Sequence, residues 1–123
     1  MRIANPTARI GEDLAADYLR KQGYKIIERN FRRGYGEIDI IAIDGKTLVF
    51  IEVKTKTSLA FGDPLEEIGY FKLKTLTKGV QFYKMLHPEL PEQMRIDAVS
   101  VLLIDNKPKI ELIKNIAQPG LIG

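Results

Sequence analysis

Apolar positions near the N-terminus follow a helical period. Ile10, Leu14, Ala15, Tyr18 and Leu19 recur at helical spacing, and Asn5-Pro6 supplies a start: Asn can accept from the free amides of a first turn, and Pro suits the first helical position. The spacing predicts a helix from about Pro6 to Gln22, ended by Gly23 in a left-handed cap, with Arg9, Asp13, Asp17 and Arg20 facing water. The period then shortens. Tyr24 to Phe31, Gly36 to Ile43 and Lys46 to Thr55 read as strands, and Asp44-Gly45 between the last two is a strong signal for a two-residue hairpin loop. With Asp44 and Gly45 as the loop, Ile43 pairs with Lys46, Asp39 stands opposite Phe50, and Glu37 stands opposite Glu52.

Alternation stops from Lys56 to Pro64, where Gly62, Asp63 and Pro64 mark a loop. Leu73, Leu76, Val80 and Tyr83 then form one face of a helix ending near Leu86, and His87 to Glu92 is a Pro-rich connector. Arg95 to Asp105 is strand-like, and Lys109 to Lys114 forms a last strand after an Asn106-Lys107-Pro108 turn. The long crossover lets the Arg95 strand run parallel to the strand carrying Glu52. This order predicts an α/β fold, a mixed central sheet flanked by helices. A single domain is expected over residues 1–117, with 118–123 as a C-terminal tail.

Composition narrows the chemistry. No apolar run approaches the roughly 18 to 20 residues that span a bilayer, and the N-terminus has no apolar segment of the secretory kind, so a cytoplasmic location is expected. With no cysteine, disulfides, thiolate zinc sites and a cysteine nucleophile are excluded. The one histidine, His87, precedes Pro88 and belongs to a loop. Chemistry therefore falls to carboxylates, lysines and hydroxyls. A net charge of +3 suits a polyanionic partner without identifying one.

Glu52 and Lys54, two apart on a strand, share a face, and the hairpin register brings Asp39 to that face as a diagonal neighbour of Glu52, at a Cα separation of roughly 7 to 8 Å. Glu37 falls on it too. Carboxylates converging on a partly covered sheet repel one another unless a cation or partner compensates. An ordinary polar cross-strand cluster on a solvated face is the plainer reading. Against it, Leu48 to Ile51 are apolar on both faces, as in a covered central strand. Arg95 and Asp97, on one face of their strand, read as a structural ion pair.

Glu12 on the first helix, Gly36-Glu37-Ile38-Asp39 on a strand and Phe50-Ile51-Glu52-Val53-Lys54 on the next resemble the P-D…(D/E)-x-K nuclease superfamily. More closely, with Gly11, Asn30, Phe61-Gly62, Lys72 and Arg95-Ile96-Asp97, the chain resembles the bacterial YraN-like family, regarded as related to archaeal Holliday-junction resolvases. Ile38 stands where the superfamily name has Pro, which leaves the Asp ligand in place. The resemblance implies a restriction-endonuclease-like core and a Mg²⁺-dependent endonuclease that hydrolyses DNA phosphodiester bonds, with Mn²⁺ able to substitute and branched DNA as a candidate substrate. The alternative is a DNA-binding or assembly module that keeps the fold without independent activity. A homodimer is the candidate assembly by the same analogy.

On this reading Asp39 and Glu52 are the metal carboxylates, with the backbone carbonyl of Val53 as a further ligand by family analogy. Lys54 orients the attacking water and helps to deprotonate it. Glu12 is implied as a metal-site or supporting carboxylate; equally, it fits an N-terminal-turn glutamate favoured by the helix dipole or a partner for Arg9. Arg29, Arg32 and Arg33, with Tyr35, precede the Asp39 strand and can hold phosphates. Lys54, Lys56, Lys72, Lys74 and Lys78 extend that surface. Lys72 lies within the apolar arc of its helix and can snorkel to DNA or to the site.

Overall fold

Asn5 does cap the first helix. Its side-chain oxygen accepts from the backbone amides of Thr7 (3.0 Å) and Ala8 (3.5 Å), and α1 runs Pro6–Lys21. The helix ends in a Schellman turn: Gly23 takes φ +94°, its amide donates to the Arg20 carbonyl, and the Tyr24 amide donates to that of Leu19. The reversal returns Tyr24 to the core beside Leu19. The computed structural model describes residues 5–34, 36–58, 68–105 and 107–117. Tyr35, the Phe61-Gly62 motif, the Gly62 to Pro64 loop signal, Asn106 and the 118–123 tail lie outside them.

The remaining elements are β1 (Lys25–Phe31), β2 (Ile38–Asp44), β3 (Thr47–Lys56), α2 (Tyr70–Leu86), β4 (Gln93–Ile104) and β5 (Lys107–Ala117). They form a five-stranded sheet in the order β1-β2-β3-β4-β5. The β3/β4 pair is parallel, with α2 in the crossover, and the other pairs are antiparallel. Side chains of β3 alternate between two apolar layers. Val49 and Ile51 meet Ala15, Ala16 and Leu19 of α1, while Leu48 and Phe50 meet Leu76, Val80 and Tyr83 of α2. A central strand covered on both faces cannot be a solvated one. This mixed sheet between helices is the arrangement of a restriction-endonuclease-like core. Among the described residues no helix is long and apolar enough to cross a membrane.

Three expectations need correction. Ile10 is 53% exposed, because the contact stripe of α1 runs through Gly11, Ala15, Ala16 and Leu19 and leaves Ile10 off the face. The hairpin loop is Gly45-Lys46 rather than Asp44-Gly45: Asp44 pairs with Thr47, and Gly45, at φ +63°, takes the first turn position, as in a type II′ turn. Asp44 stays in the strand, where its Oδ2 accepts from an Arg95 guanidinium nitrogen at 2.8 Å. Last, β5 begins at Lys107, so Pro108 is a strand residue paired with Leu103 rather than part of a turn. At a sheet edge proline's missing N–H need not break the ladder.

Gly11 sets how closely α1 approaches β3. A Cβ there would overlap the Oγ1, Cβ and Cγ2 atoms of Thr55, which lies next to Lys54. Gly11→Ala gains about 1 kcal/mol in helix propensity. The overlap costs about 1 to 3 kcal/mol and concerns packed atoms, so it prevails. The variant should unfold at lower denaturant concentration than wild type; an unchanged or higher midpoint would show that α1 does not sit this close.

Candidate active site

The pair Ile40↔Ile51 puts Asp39 level with Glu52, directly opposite rather than diagonal, and Glu37 two residues beyond. The register differs from the expected one by two residues, an even number. Every side chain therefore keeps its face, and Asp39, Glu52 and Lys54 still converge. Where the β2/β3 ladder stops, Asp39 Oδ2 accepts from the backbone N–H of Val53 at 2.8 Å. This bond fixes the Asp39 carboxylate at the point where the two strands part.

Glu52 is only 4% exposed. Its Oε1 is 3.6 Å from Lys54 Nζ and 3.3 Å from Lys72 Nζ, the latter reaching in from the first turn of α2. Its Oε2 is buried with no hydrogen-bond partner among the described residues. A buried carboxylate oxygen without a partner carries a desolvation cost that a cation would remove. Burial pushes Glu52 above the usual carboxylate range, and Lys72 and Lys54 hold that rise back. Burial first and the Glu52 charge second push Asp39 up to about 7, against the Val53 hydrogen bond; Glu12 and Glu37 add to the rise.

Mg²⁺ takes hard oxygen ligands, keeps several waters and is commonly held by only one or two carboxylates. Asp39 and Glu52, whose Oε2 has no partner among the described residues, fit that demand. Among the described residues no group of three histidine, aspartate or glutamate side chains makes a larger ligand set.

Asp39 makes the site visible in stability. Its folded pKa, about 7, lies above the ordinary 3.8, so the folded state holds this proton more tightly than the unfolded chain. Without divalent ions, its contribution to stability falls as pH rises from about 4 to about 7 and then levels off. Melting temperatures of wild type should decline across that window relative to those of Asp39→Asn. Parallel curves would mean that Asp39 ionises without penalty.

Glu12 is placed by β1 rather than by Arg9. Its Oε1 accepts from Asn30 Nδ2 at 3.0 Å and Arg29 Nε at 3.2 Å. Asn30 adopts φ +56°, a left-handed conformation that Asn tolerates better than most residues. It holds Glu12 in place, and its signal in the sequence is an Asn interrupting a strand two residues before the Arg32-Arg33 pair. Arg29 also meets Asp13 Oδ1 at 2.6 Å, and Arg32 Nε meets Glu37 at 3.2 Å. Glu12, Asp13, Arg29, Asn30 and Arg32, with Asn5, Ala8 and Arg9, line a cleft of about 400 Å³.

The basic residues expected to hold phosphate are thus divided. Arg29 is occupied with α1, Arg32 is half-exposed beside Glu37, Arg33 is exposed, and Lys56 is half-buried on β3. Lys72 joins the carboxylate site. Lys78 is exposed on α2, and Lys74 is partly so.

Arg95 and Asp97 belong elsewhere, as the ion-pair reading has it. Fully buried Asp97 accepts from Arg95 Nε (2.8 Å), the Tyr24 hydroxyl (2.7 Å) and the Asn115 amide (2.8 Å). A bulge in β5 with Asn115 at φ +61° brings that amide to it. The Arg95 bond also holds the Asp44 carboxyl below its usual range.

Comparison with known proteins identifies a family. The model of "Uncharacterised protein family UPF0102" matches residues 11–101, a span that includes Glu12, Asp39, Glu52, Lys54 and Lys72. A UPF0102 protein of Syntrophomonas wolfei is 45% identical over 105 residues, 85% of this chain and 91% of the relative. One of Persephonella marina is 46% identical over 92 residues, 75% of this chain and 79% of the relative. One of an Arthrobacter species is 41% identical over 119 residues, 94% of this chain and 99% of the relative. With the family model and near full-length relatives in agreement, the chain belongs to the UPF0102 family.

Proposed function

We propose that this protein is a Mg²⁺-dependent endonuclease acting on DNA, with Asp39, Glu52 and Lys54 at its centre. The observation that carries the reading is Glu52: a carboxylate at the last buried position of β3, one oxygen without a partner among the described residues, level with an Asp whose ionisation is also opposed. Such an arrangement costs stability unless a cation or substrate completes it. Asp39, Glu52 and the Val53 carbonyl would hold the ion, which when bound supplies a Lewis acid for the scissile phosphate. Lys54 orients the attacking water and, once its own ammonium proton has passed to solvent, receives the proton that the water loses. Glu12, fixed by Asn30 and Arg29, adds negative charge behind the ion.

One observation favours a second reading, a DNA-binding or assembly module without independent activity. Two ammonium groups, Lys54 and Lys72, already stand within 4 Å of Glu52 Oε1 and offset part of its charge. An assay of purified protein on linear, flapped and four-way DNAs with Mg²⁺ or Mn²⁺, beside Glu52→Gln, separates the two. Metal-dependent cleavage lost in the variant supports the nuclease. Binding without cleavage or metal uptake supports the module.

DNA contact makes its own prediction. Arg32 and Arg33 sit at the end of β1, next to the chain leading to Asp39, where they can neutralise phosphates. Replacing both by Ala should weaken binding across unrelated sequences and lower the slope of log K against log salt by roughly one unit per lost contact. An unchanged slope would leave Arg32 to its Glu37 pair alone.

A further inference from the structure

The first turn of α2 presents an aromatic pair to solvent. Tyr70 is 63% exposed and Phe71 79%, with ring centroids 5.3 Å apart in a T-shaped arrangement. Single exposed apolar side chains are common on protein surfaces. These two differ in position and surroundings. Lys72, the next residue, reaches Glu52 at 3.3 Å, so the pair adjoins in sequence a side chain that enters the carboxylate site.

On the helix surface Phe71 continues through Thr75 and Phe82, which border the β1–β2 connection: Thr75 lies against Gly36 and Phe82 against Gly34. The rings therefore share one side of the molecule with the segment carrying Arg32 and Arg33.

Charge selects the occupant. The 17 residues of α2 include Lys72, Lys74, Lys78 and Lys84 and no acidic residue, and its N-terminal Gly69 provides no side-chain cap for the first amides. A partner here must offer flat apolar faces and negative charge together, as a nucleic-acid strand does. A second copy of the same face would set Lys74 and Lys78 against their counterparts.

Resting on the nuclease reading, we propose that Tyr70 and Phe71 form a stacking platform for an unpaired base beside the scissile phosphate, so that the substrate is DNA with a single-stranded segment at the cleavage point. Stacked bases within a duplex have their faces covered by neighbours, whereas an unpaired base can leave the stack and lie on a ring.

The test is binding of wild-type protein, in EDTA to prevent cleavage, to a labelled single-stranded oligonucleotide and to the duplex of the same sequence. Phe71→Ala with Tyr70→Ala should weaken single-strand binding roughly 5- to 150-fold, the range for a lost base stack, and leave duplex binding nearly unchanged. Because the chain has no tryptophan, Phe71→Trp adds a unique fluorophore that should be quenched by the single strand and not by the duplex. Equal losses on both DNAs, or no loss on either, overturn the platform. So does a double variant that changes sedimentation while DNA binding stays constant, since a second copy would then be the occupant. A selective loss in a protein that cleaves nothing with Mg²⁺ or Mn²⁺ upholds the platform and defeats the nuclease. Cleavage that is lost in Glu52→Gln but indifferent to the double alanine variant does the reverse.

Discussion

Glu52→Gln should abolish Mg²⁺-dependent cleavage while leaving the fold as stable as wild type or more so. The carboxylate is buried and raised in pKa by that burial, so its charge opposes folding; an amide of equal size removes the charge and keeps the shape. Lys54 and Lys72 lose a partner, but both side chains retain access to water and are not stranded. Mg²⁺ uptake measured by calorimetry should fall in Glu52→Gln and in Asp39→Asn. DNA binding should persist or tighten in both, because negative charge facing the phosphates has gone. Lys54→Ala should separate from these two. Metal still binds, and cleavage drops by roughly 10²- to 10⁴-fold, the usual cost of lost acid-base assistance. Equal cleavage by wild type and all three variants would move the activity away from this site. A Glu52→Gln protein that also melts well below wild type would assign Glu52 a structural role instead.

The largest loss of stability should come from Asp97→Ala, at the opposite functional extreme. Asp97 is fully buried and accepts from Tyr24, Arg95 and the Asn115 amide, joining α1's exit turn, β4 and the β5 bulge. Removing it leaves a tyrosine hydroxyl, a backbone amide and part of a guanidinium without their acceptor. Breaking a buried pair in this way costs about 3 to 5 kcal/mol, which for a domain of this size lowers the melting temperature by roughly 10 to 20 °C. Arg95 retains Asp44 as a partner, so Asp97→Ala should be more damaging than Asp44→Ala. The reverse order, read by chemical denaturation, would mean that Asp44 rather than Asp97 anchors the network.

The contrast between these sites explains what the sequence made legible. Alternation and helical spacing depend on burial, and burial decided β2, β3, β4 and the inner faces of both helices, so those elements could be read directly. The meeting of Asp39, Glu52 and Lys54 was legible for the same reason: side-chain parity survives any even error in register, and the error in the hairpin was two residues. What local pattern cannot contain is tertiary choice. Asp44 stays in β2 where Arg95, 51 residues away, meets its carboxylate. Gly11 rather than Ile10 faces the sheet because Thr55 leaves no room for a side chain there. Asn30 bonds Glu12 from a strand whose backbone turns left-handed at that residue. The exposure of Phe71 has no signature in composition or period, whereas the place of Lys72 in the apolar arc of its helix already allowed its reach to Glu52.

The irregularities at the two sides of the sheet bear on how this protein can assemble. β1 carries a register shift between Ile26 and Glu28 and left-handed Asn30, while β5 carries Pro108 between Lys107 and Lys109 and left-handed Asn115. An incoming strand would find interrupted spacing, a missing donor and lysine charge where continuous pairing needs a flat, regular row. These features disfavour growth of the sheet by addition of strands from other chains, as in fibril formation, without any helix or loop having to cover its two edges.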